Sequence, residues 1–394
     1  MAKQRLGQFC LRRVWQFNRV GGVTVVRLKI KDWNRDEENN INTLLRYLLL
    51  AFGIFLSLPL LAILSVLPGT PVTALGIIYL LSYVLVVLGM VVAPLGWNQS
   101  VAFLLVGGVV ALATIFVRIV FPVSGSHLNL ITLPDKSGPR LLNRILNEQD
   151  AVLFGAQIGP YFGVITPVEK QSLLPAFTRA YKDMNAEGGT LLSPFLTTYL
   201  NKQQADKFDA VIAEPNSATP LKTAIIYLHG YGGNFTVQCW LIAKPGFSIN
   251  ALTVCPSTGV NGQWWTSEGQ AILQETLNYV HQRGIQQIYL AGLSNGAISA
   301  SRLADQLKNE IAGLILISGA DSNAVITELP SLVIQGQNDE RIPVSMIEHY
   351  VSVAGSRATY HVFEGEHFLL LKQADQVQPV IANWLMQQEA NTSH

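Results

Sequence analysis

Hydrophobic and polar positions divide this chain into two regimes. From Tyr47 to Val117 there is no Asp, Glu, Lys, Arg or His. A helix crossing the hydrocarbon of a bilayer takes about 20 apolar residues, so a run this long suits three helices and not one. Its strongest backbone breaks are Pro68-Gly69-Thr70-Pro71 and Pro94 to Ser100, which predicts spans at about 45–67, 72–93 and 101–121. Trp97 then falls at an interfacial position. A buried helical hairpin of a soluble domain would need an implausibly large uncharged core. The run also starts too far along the chain, and is too long, for a cleaved leader. Past residue 205 the pattern changes to short apolar runs bounded by polar loops. Phe208–Ile212, Thr223–Leu228, Ala251–Cys255, Ile288–Leu290, Ser331–Gly336 and Ala358–Phe363 read as strands, several followed by helical spacing.

One of these strand-to-helix junctions holds polar residues between glycines. Gly292-Leu293-Ser294-Asn295-Gly296 has the G-x-S-x-G form in which small flanking residues let the backbone turn sharply and project a serine hydroxyl from the end of a sheet. Glycine and serine also populate ordinary turns, so the motif gains weight from what surrounds it. A serine hydroxyl needs a base, and the base an orienting acid. Asp339 lies in a polar loop after the Ser331–Gly336 strand, and His367 in a loop after Ala358–Phe363. Asp321 and Glu340 are alternative acids. His361 is an alternative base, although it alternates with its neighbours inside a strand. Upstream, Thr223–Leu228 runs into His229-Gly230-Tyr231-Gly232-Gly233, where backbone N–H groups could approach an oxyanion. The expected donors are the amides of Tyr231 and Asn295. A phosphate cradle is the competing reading of this loop, but no Gly-Lys-Ser/Thr follows.

Together, HGYGG, GLSNG, GQNDERIP and GEHF, in that order, resemble the α/β-hydrolases of the esterase and lipase type over residues 205–394. The resemblance implies an α/β fold, a mostly parallel sheet with helices on both faces. It also implies Ser294 as nucleophile, His367 as general base and acid, and Asp339 as the acid that holds the imidazole. Ala297 stands where many peptidase-like relatives carry a second glycine, which points away from a peptidase. Many hydrolases of this fold insert a cap after the sixth strand. Here only Asp321 to Pro330 separates two strands, which leaves no room for a cap domain. Trp264 and Trp265, after the Ala251–Cys255 strand, are candidate apolar walls for an acyl or alcohol group.

Four segments are expected: a basic tail (1–44), three transmembrane helices (45–121), a connector that belongs to the hydrolase or its lid (122–204), and the hydrolase (205–394). In the tail, Leu6, Phe9, Cys10, Val14 and Phe17 recur at helical spacing, which suits either a short helix on an anionic membrane or a solvated basic arm. Val26–Lys31 alternates like a strand. Helices are expected around 140–154 and 170–184. Charge is balanced, 27 basic against 26 acidic residues, so no nucleic-acid partner is implied. No His/Cys/Asp cluster has metal-ligand spacing, and no cofactor is expected. The expected partners are a small-molecule or lipid ester and the bilayer. An acyltransferase with the same residues, or an idle hydrolase-fold scaffold, are the alternatives. Three spans place the tail and the hydrolase on opposite sides, and Arg27, Lys29, Lys31, Arg35 and Arg46 favour a cytoplasmic tail. Cys239 and Cys255 are either disulfide-bonded, which requires an oxidising compartment, or two buried thiols.

Overall fold

The computed structural model describes residues 14–20, 23–29, 33–121, 125–188 and 192–392. It divides into two compact units, residues 1–61 with 81–109, and 62–80 with 110–394. In the first unit, β1 (Val14–Val20) pairs antiparallel with β2 (Val23–Lys29). The strand expected near Val26 is therefore present. Val14 and Phe17 lie in a hairpin and not in a surface helix, because both segments are dense in β-branched and aromatic residues. Leu6, Phe9 and Cys10 lie outside the described residues.

Three helices follow: α1 (Trp33–Val66), α2 (Ala74–Val91) and α3 (Trp97–Val120). Each contains a stretch long and apolar enough to cross a membrane, with a mean hydropathy of 2.5. α1 starts earlier than the apolar pattern suggests, because the polar residues before Leu44 continue the helix without any break in backbone chemistry. Large side chains such as Phe55, Leu61, Leu105 and Leu112 point outward. Inside the first unit the helices meet through hydroxyls and close backbone: Ser100 donates to the Gly89 carbonyl at 2.7 Å and Tyr83 to that of Leu56 at 2.7 Å. This is how helices associate where the surroundings are as apolar as their side chains.

The second unit is built on an eight-stranded sheet. Its elements are β3 (Leu128–Leu133), α4 (Glu148–Ile158), α5 (Pro167–Asp183), α6 (Phe195–Tyr199), β4 (Phe208–Ala213), β5 (Thr223–Leu228), α7 (Thr236–Phe247), β6 (Leu252–Pro256) and α8 (Ser267–Gln282). They continue with β7 (Gln287–Leu293), α9 (Asn295–Leu307), β8 (Gly313–Ile317), β9 (Ser331–Gly336), α10 (Val344–Ala354), β10 (Ala358–Phe363), α11 (Leu369–Lys372) and α12 (Ala374–Thr392). The strand order is β10-β9-β8-β7-β5-β6-β4-β3. β3 and β4 are antiparallel, and β5 through β10 run parallel. Two apolar clusters cover the two faces, one with Trp240 and Trp384, the other with Trp264 and Ile272. Such two-sided burial explains the unbroken apolar runs of the central strands. This is the α/β-hydrolase architecture.

β3 shows that the sheet takes its edge strand from the connector. The rest of the connector is attached through buried polar groups. Asp209 on β4 is fully buried and receives both Nε and Nη2 of Arg140, at 2.8 and 2.6 Å, together with the Thr197 hydroxyl at 2.7 Å. Glu148, also buried, accepts from the amides of Thr236 and Val237 at 2.7 and 3.1 Å, and from the hydroxyls of Tyr181 and Ser193. It caps the start of α7 from a distant part of the chain. Burial raises its carboxyl above the usual carboxylate range, and the four donors only partly offset this. The helix expected at 140–154 is displaced to α4, since residues 141–144 form a 3₁₀ turn. Cys239 and Cys255 are joined by a disulfide, with Cα atoms 5.9 Å apart.

Candidate functional site

The site is assembled where parallel strands end, a position at which several loops converge in open α/β sheets. β7 turns into α9 at Ser294, which takes φ 54° and ψ −121°, a conformation costing roughly 1–3 kcal/mol for a residue with a Cβ. The turn closes only because its flanks are glycine. A Cβ on Gly292 would stand 2.3 Å from the Gly296 carbonyl carbon, and one on Gly296 would stand 1.9 Å from the Leu228 oxygen. The Ser294 amide donates to Ile317 at the end of β8, at 2.9 Å. The hydroxyl is thus projected beyond the sheet on a rigid base.

His367 reaches this hydroxyl from the loop after β10, with Nε2 3.0 Å from Ser294 Oγ. Its Nδ1 lies 2.8 Å from Asp339 Oδ2. Asp339, in the loop after β9, is held by four donors. The Gln335 side chain, at 3.0 Å, shares Oδ2 with the imidazole, while the amides of Arg341 and Ile342 approach Oδ1 at 2.9 and 3.0 Å. Burial pushes the Asp339 carboxyl up, but the hydrogen bond and charge of His367 and the two amides outweigh it, so it titrates below the usual carboxylate range. Asp, His and Ser thereby form one continuous hydrogen-bonded chain with a carboxylate at its buried end.

The alternatives stand elsewhere. Asp321 pairs with Arg302 at 2.6 Å, Glu340 is exposed, and His361, inside β10, stands in register with Ile334 of β9. The HGYGG loop lies against the elbow, where a Cβ on Gly230 would come within 2.7 Å of the Leu293 oxygen. Asn295 opens α9, so its N–H has no partner within the helix. Tyr231 N–H meets no backbone acceptor among the described residues. His229 braces the loop, with Nδ1 2.8 Å from the Gly230 carbonyl and Nε2 accepting the Thr258 amide at 3.2 Å. Full burial pulls its pKa down to about 4, against the hydrogen bond to Gly230, which raises it. It is a neutral strut.

The two tryptophans, expected as apolar walls, take different surroundings. Trp264 is 0% exposed, and its Nε1 donates to the His229 carbonyl at 3.0 Å from beneath the HGYGG loop. Trp265 stacks under Arg302 at 4.7 Å, eight residues or about 12 Å along α9 from Ser294. Both follow the flank of α9 because the loop before α8 is tied to it, with Asn295 Nδ2 donating to the Asn261 carbonyl at 2.8 Å. Sequence reasoning missed Gln335, whose signal was a polar side chain inside an otherwise apolar strand. It also missed Arg341, which Asp339 places by a tight turn and which lies 5.1 Å over the ring of Phe368.

No protein-family profile matches the chain, and no curated protein matches it in sequence. Solved structures do. An α/β serine hydrolase homologue from Coxiella burnetii is 21% identical, with 45% of this chain and 92% of that one covered and a TM-score of 0.39. Est1E from Butyrivibrio proteoclasticus is 15% identical over 47% and 95%, with a TM-score of 0.40. A Xanthomonas campestris α/β serine hydrolase described as lacking a lid is 15% identical over 47% and 91%, with a TM-score of 0.38.

Proposed function

We propose that this protein is a membrane-anchored serine hydrolase that cleaves a carboxylic ester through an acyl-Ser294 intermediate. The observation that carries the reading is the Asp339–His367–Ser294 chain ending on a serine held at φ 54°. In this mechanism Ser294 Oγ attacks the ester carbonyl carbon while His367 Nε2 takes its proton. The carbonyl oxygen becomes an oxyanion, which accepts from the amides of Tyr231 and Asn295. As the tetrahedral intermediate collapses, the C–O bond to the alcohol breaks, and His367 returns the proton to the departing oxygen. Water, deprotonated by His367, then attacks the acyl carbon, and as the bond to Ser294 Oγ breaks His367 returns that proton to the serine, releasing the acid. Asp339 keeps the imidazole in the tautomer that presents Nε2 and supports its positive charge in both steps.

Three apolar helices, a basic tail and the Cys239–Cys255 disulfide support a hydrolase domain outside the cytoplasm. The chemistry is tested by labelling with a fluorophosphonate. Wild-type protein should be labelled and the Ser294→Ala variant should not. Labelling that persists in the variant overturns the nucleophile. Protease added to intact cells or spheroplasts should cut the C-terminal half, and protection of that half overturns the placement.

A further inference from the structure

The connector carries an apolar surface that the mechanism does not use. In the eight residues from Tyr161 to Val168, shortly after α4, Tyr161 is 81% exposed, Phe162 73%, Val168 69% and Val164 49%. The segment is built and not loose. Residues 159–162 form a 3₁₀ turn, the Val164 amide closes on the Gly159 carbonyl at 3.1 Å, and Thr166 and Glu169 form a reciprocal cap at the start of α5. Ile165 folds inward against Gly159, leaving the other four apolar side chains outside. Rigidly displayed apolar surface in water marks a site of interaction.

Two sets of contacts, all within the second unit, identify what it faces. First, α4 is bonded to the loop that joins α1 and α2. Gln157 Nε2 donates to the Gly69 carbonyl at 2.8 Å, and the Thr73 amide and hydroxyl donate to Asp150 at 2.8 and 2.5 Å. Just before α4, Tyr79 donates to the Ile145 carbonyl at 2.9 Å, and Arg144 Nη1 to that of Ile119 at 2.7 Å. A loop between two bilayer-length helices lies where the chain leaves the hydrocarbon. Tyr161 is four residues beyond Gln157, or about 8 Å at a 3₁₀ rise. Second, Arg341, two residues from Asp339, donates to the Val164 carbonyl at 3.0 Å and pairs with Glu169 at 3.1 Å. The apolar segment is therefore pinned on one side to the membrane exit of the chain and on the other to the loop that carries Asp339.

From this geometry we propose that Tyr161, Phe162, Val164 and Val168 insert into the lipid interface, and that the ester drawn to Ser294 is an amphiphile resident in the bilayer. The interface part stands on the connector alone, and the substrate part rests on the reading of Ser294 as nucleophile. An aromatic pair beside aliphatic side chains suits a headgroup and acyl boundary. An ester entering there brings its polar carbonyl toward the site while its chain stays in lipid.

The test uses the full chain in lipid nanodiscs. A Phe162→Cys, Cys10→Ser variant labelled with nitrobenzoxadiazole, without reductant, should show blue-shifted emission that is quenched by spin-labelled lipids. Water-like emission overturns the proposal, as does blue-shifted emission that lipid nitroxides do not quench, which would put a second copy or another protein over the patch. In parallel, a Tyr161→Ser, Phe162→Ser variant should hydrolyse a short soluble ester within about twofold of wild type. The same variant should turn over a long-chain ester embedded in the nanodisc at least tenfold more slowly. Equal rates on the embedded ester overturn the substrate part. Failure of fluorophosphonate labelling at Ser294 would instead remove the hydrolase reading and leave the emission result standing.

Discussion

The loops that carry Ser294, Asp339 and His367 and the connector use the same kinds of polar residue in different ways. After β7, β9 and β10, Ser294, Asp339 and His367 sit in short loops and are hydrogen-bonded in series across the mouth of the sheet, with Asp339 accepting from His367. In the connector, Arg140, Glu148, Ser193 and Thr197 are as polar and nearly as buried, yet their bonds join groups that belong to the fold itself, Arg140 and Thr197 to Asp209, and Glu148 to Ser193 and the start of α7. A buried polar group that ends in a hydroxyl open to a ligand can do chemistry. One whose partners all belong to the fold can only hold it. Changes in the first region should therefore abolish turnover at little cost in stability, and changes in the second should do the reverse.

The largest effect expected is that of Ser294→Ala, a loss of about 10⁵ to 10⁶ in kcat with an unchanged melting temperature. A large fall in melting temperature would mean that the elbow serves the fold. Asp339→Asn should lower turnover by roughly 10³ to 10⁴, as expected when the imidazole loses its tautomer, whereas Asp321→Asn should leave turnover near wild type. The opposite result would move the acid to the end of β8.

In the connector the readout changes to stability. Arg140→Ala leaves the Asp209 carboxylate buried without its cation, and should cost about 3–5 kcal/mol by denaturant unfolding while fluorophosphonate still labels the folded fraction. Glu148→Ala strips the acceptor from two amides and two hydroxyls, at about 2–4 kcal/mol. Its pH dependence sharpens the contrast. The Glu148 carboxyl is raised, so the stability it supplies is complete below the ordinary carboxylate pKa and declines as pH rises through its folded value. Asp339 is lowered, so its contribution is complete above the ordinary value and is lost as pH falls through its folded one. Unfolding measured across the acid range should show the two substitutions bending the stability curve in opposite directions. The smallest effect is that of Trp265→Ala, about 0.5–1 kcal/mol from the lost contact with Arg302, with no change in ester preference.

What was legible in the sequence was local. β5 and β9 begin and end where their runs of strand formers do, because a strand buried on both faces is largely apolar along its length, while β10, at the sheet edge and only partly buried, is marked by its β-branched and aromatic residues. The elbow was legible because a close approach to backbone admits only glycine at 292 and 296. The three apolar helices were legible because a long run without a single charged residue, broken at Pro-Gly and Pro-rich turns, reads directly as helices of bilayer length. The connector was opaque for the converse reason. β3 is six residues whose place at the sheet edge depends on Phe208–Ala213, about 80 positions away, and no periodicity announces which strand will pair with it.

The two tryptophans mark the boundary. Composition says only that the loop holds two apolar rings, and it is the Asn295 to Asn261 bond and the Trp264 contact to His229 that set the loop against α9. The sequence by itself determined the chemical groups present and the order in which the chain delivers them, because nucleophile, acid and base each need a particular side chain after a particular kind of strand. Tertiary structure alone decided that Ser294, Asp339 and His367 lie within hydrogen-bonding reach of one another. It also decided that Arg341 joins the acid loop to the exposed apolar turn, since distances between residues so far apart in sequence are set by how the sheet stacks its strands and not by any local preference of the chain.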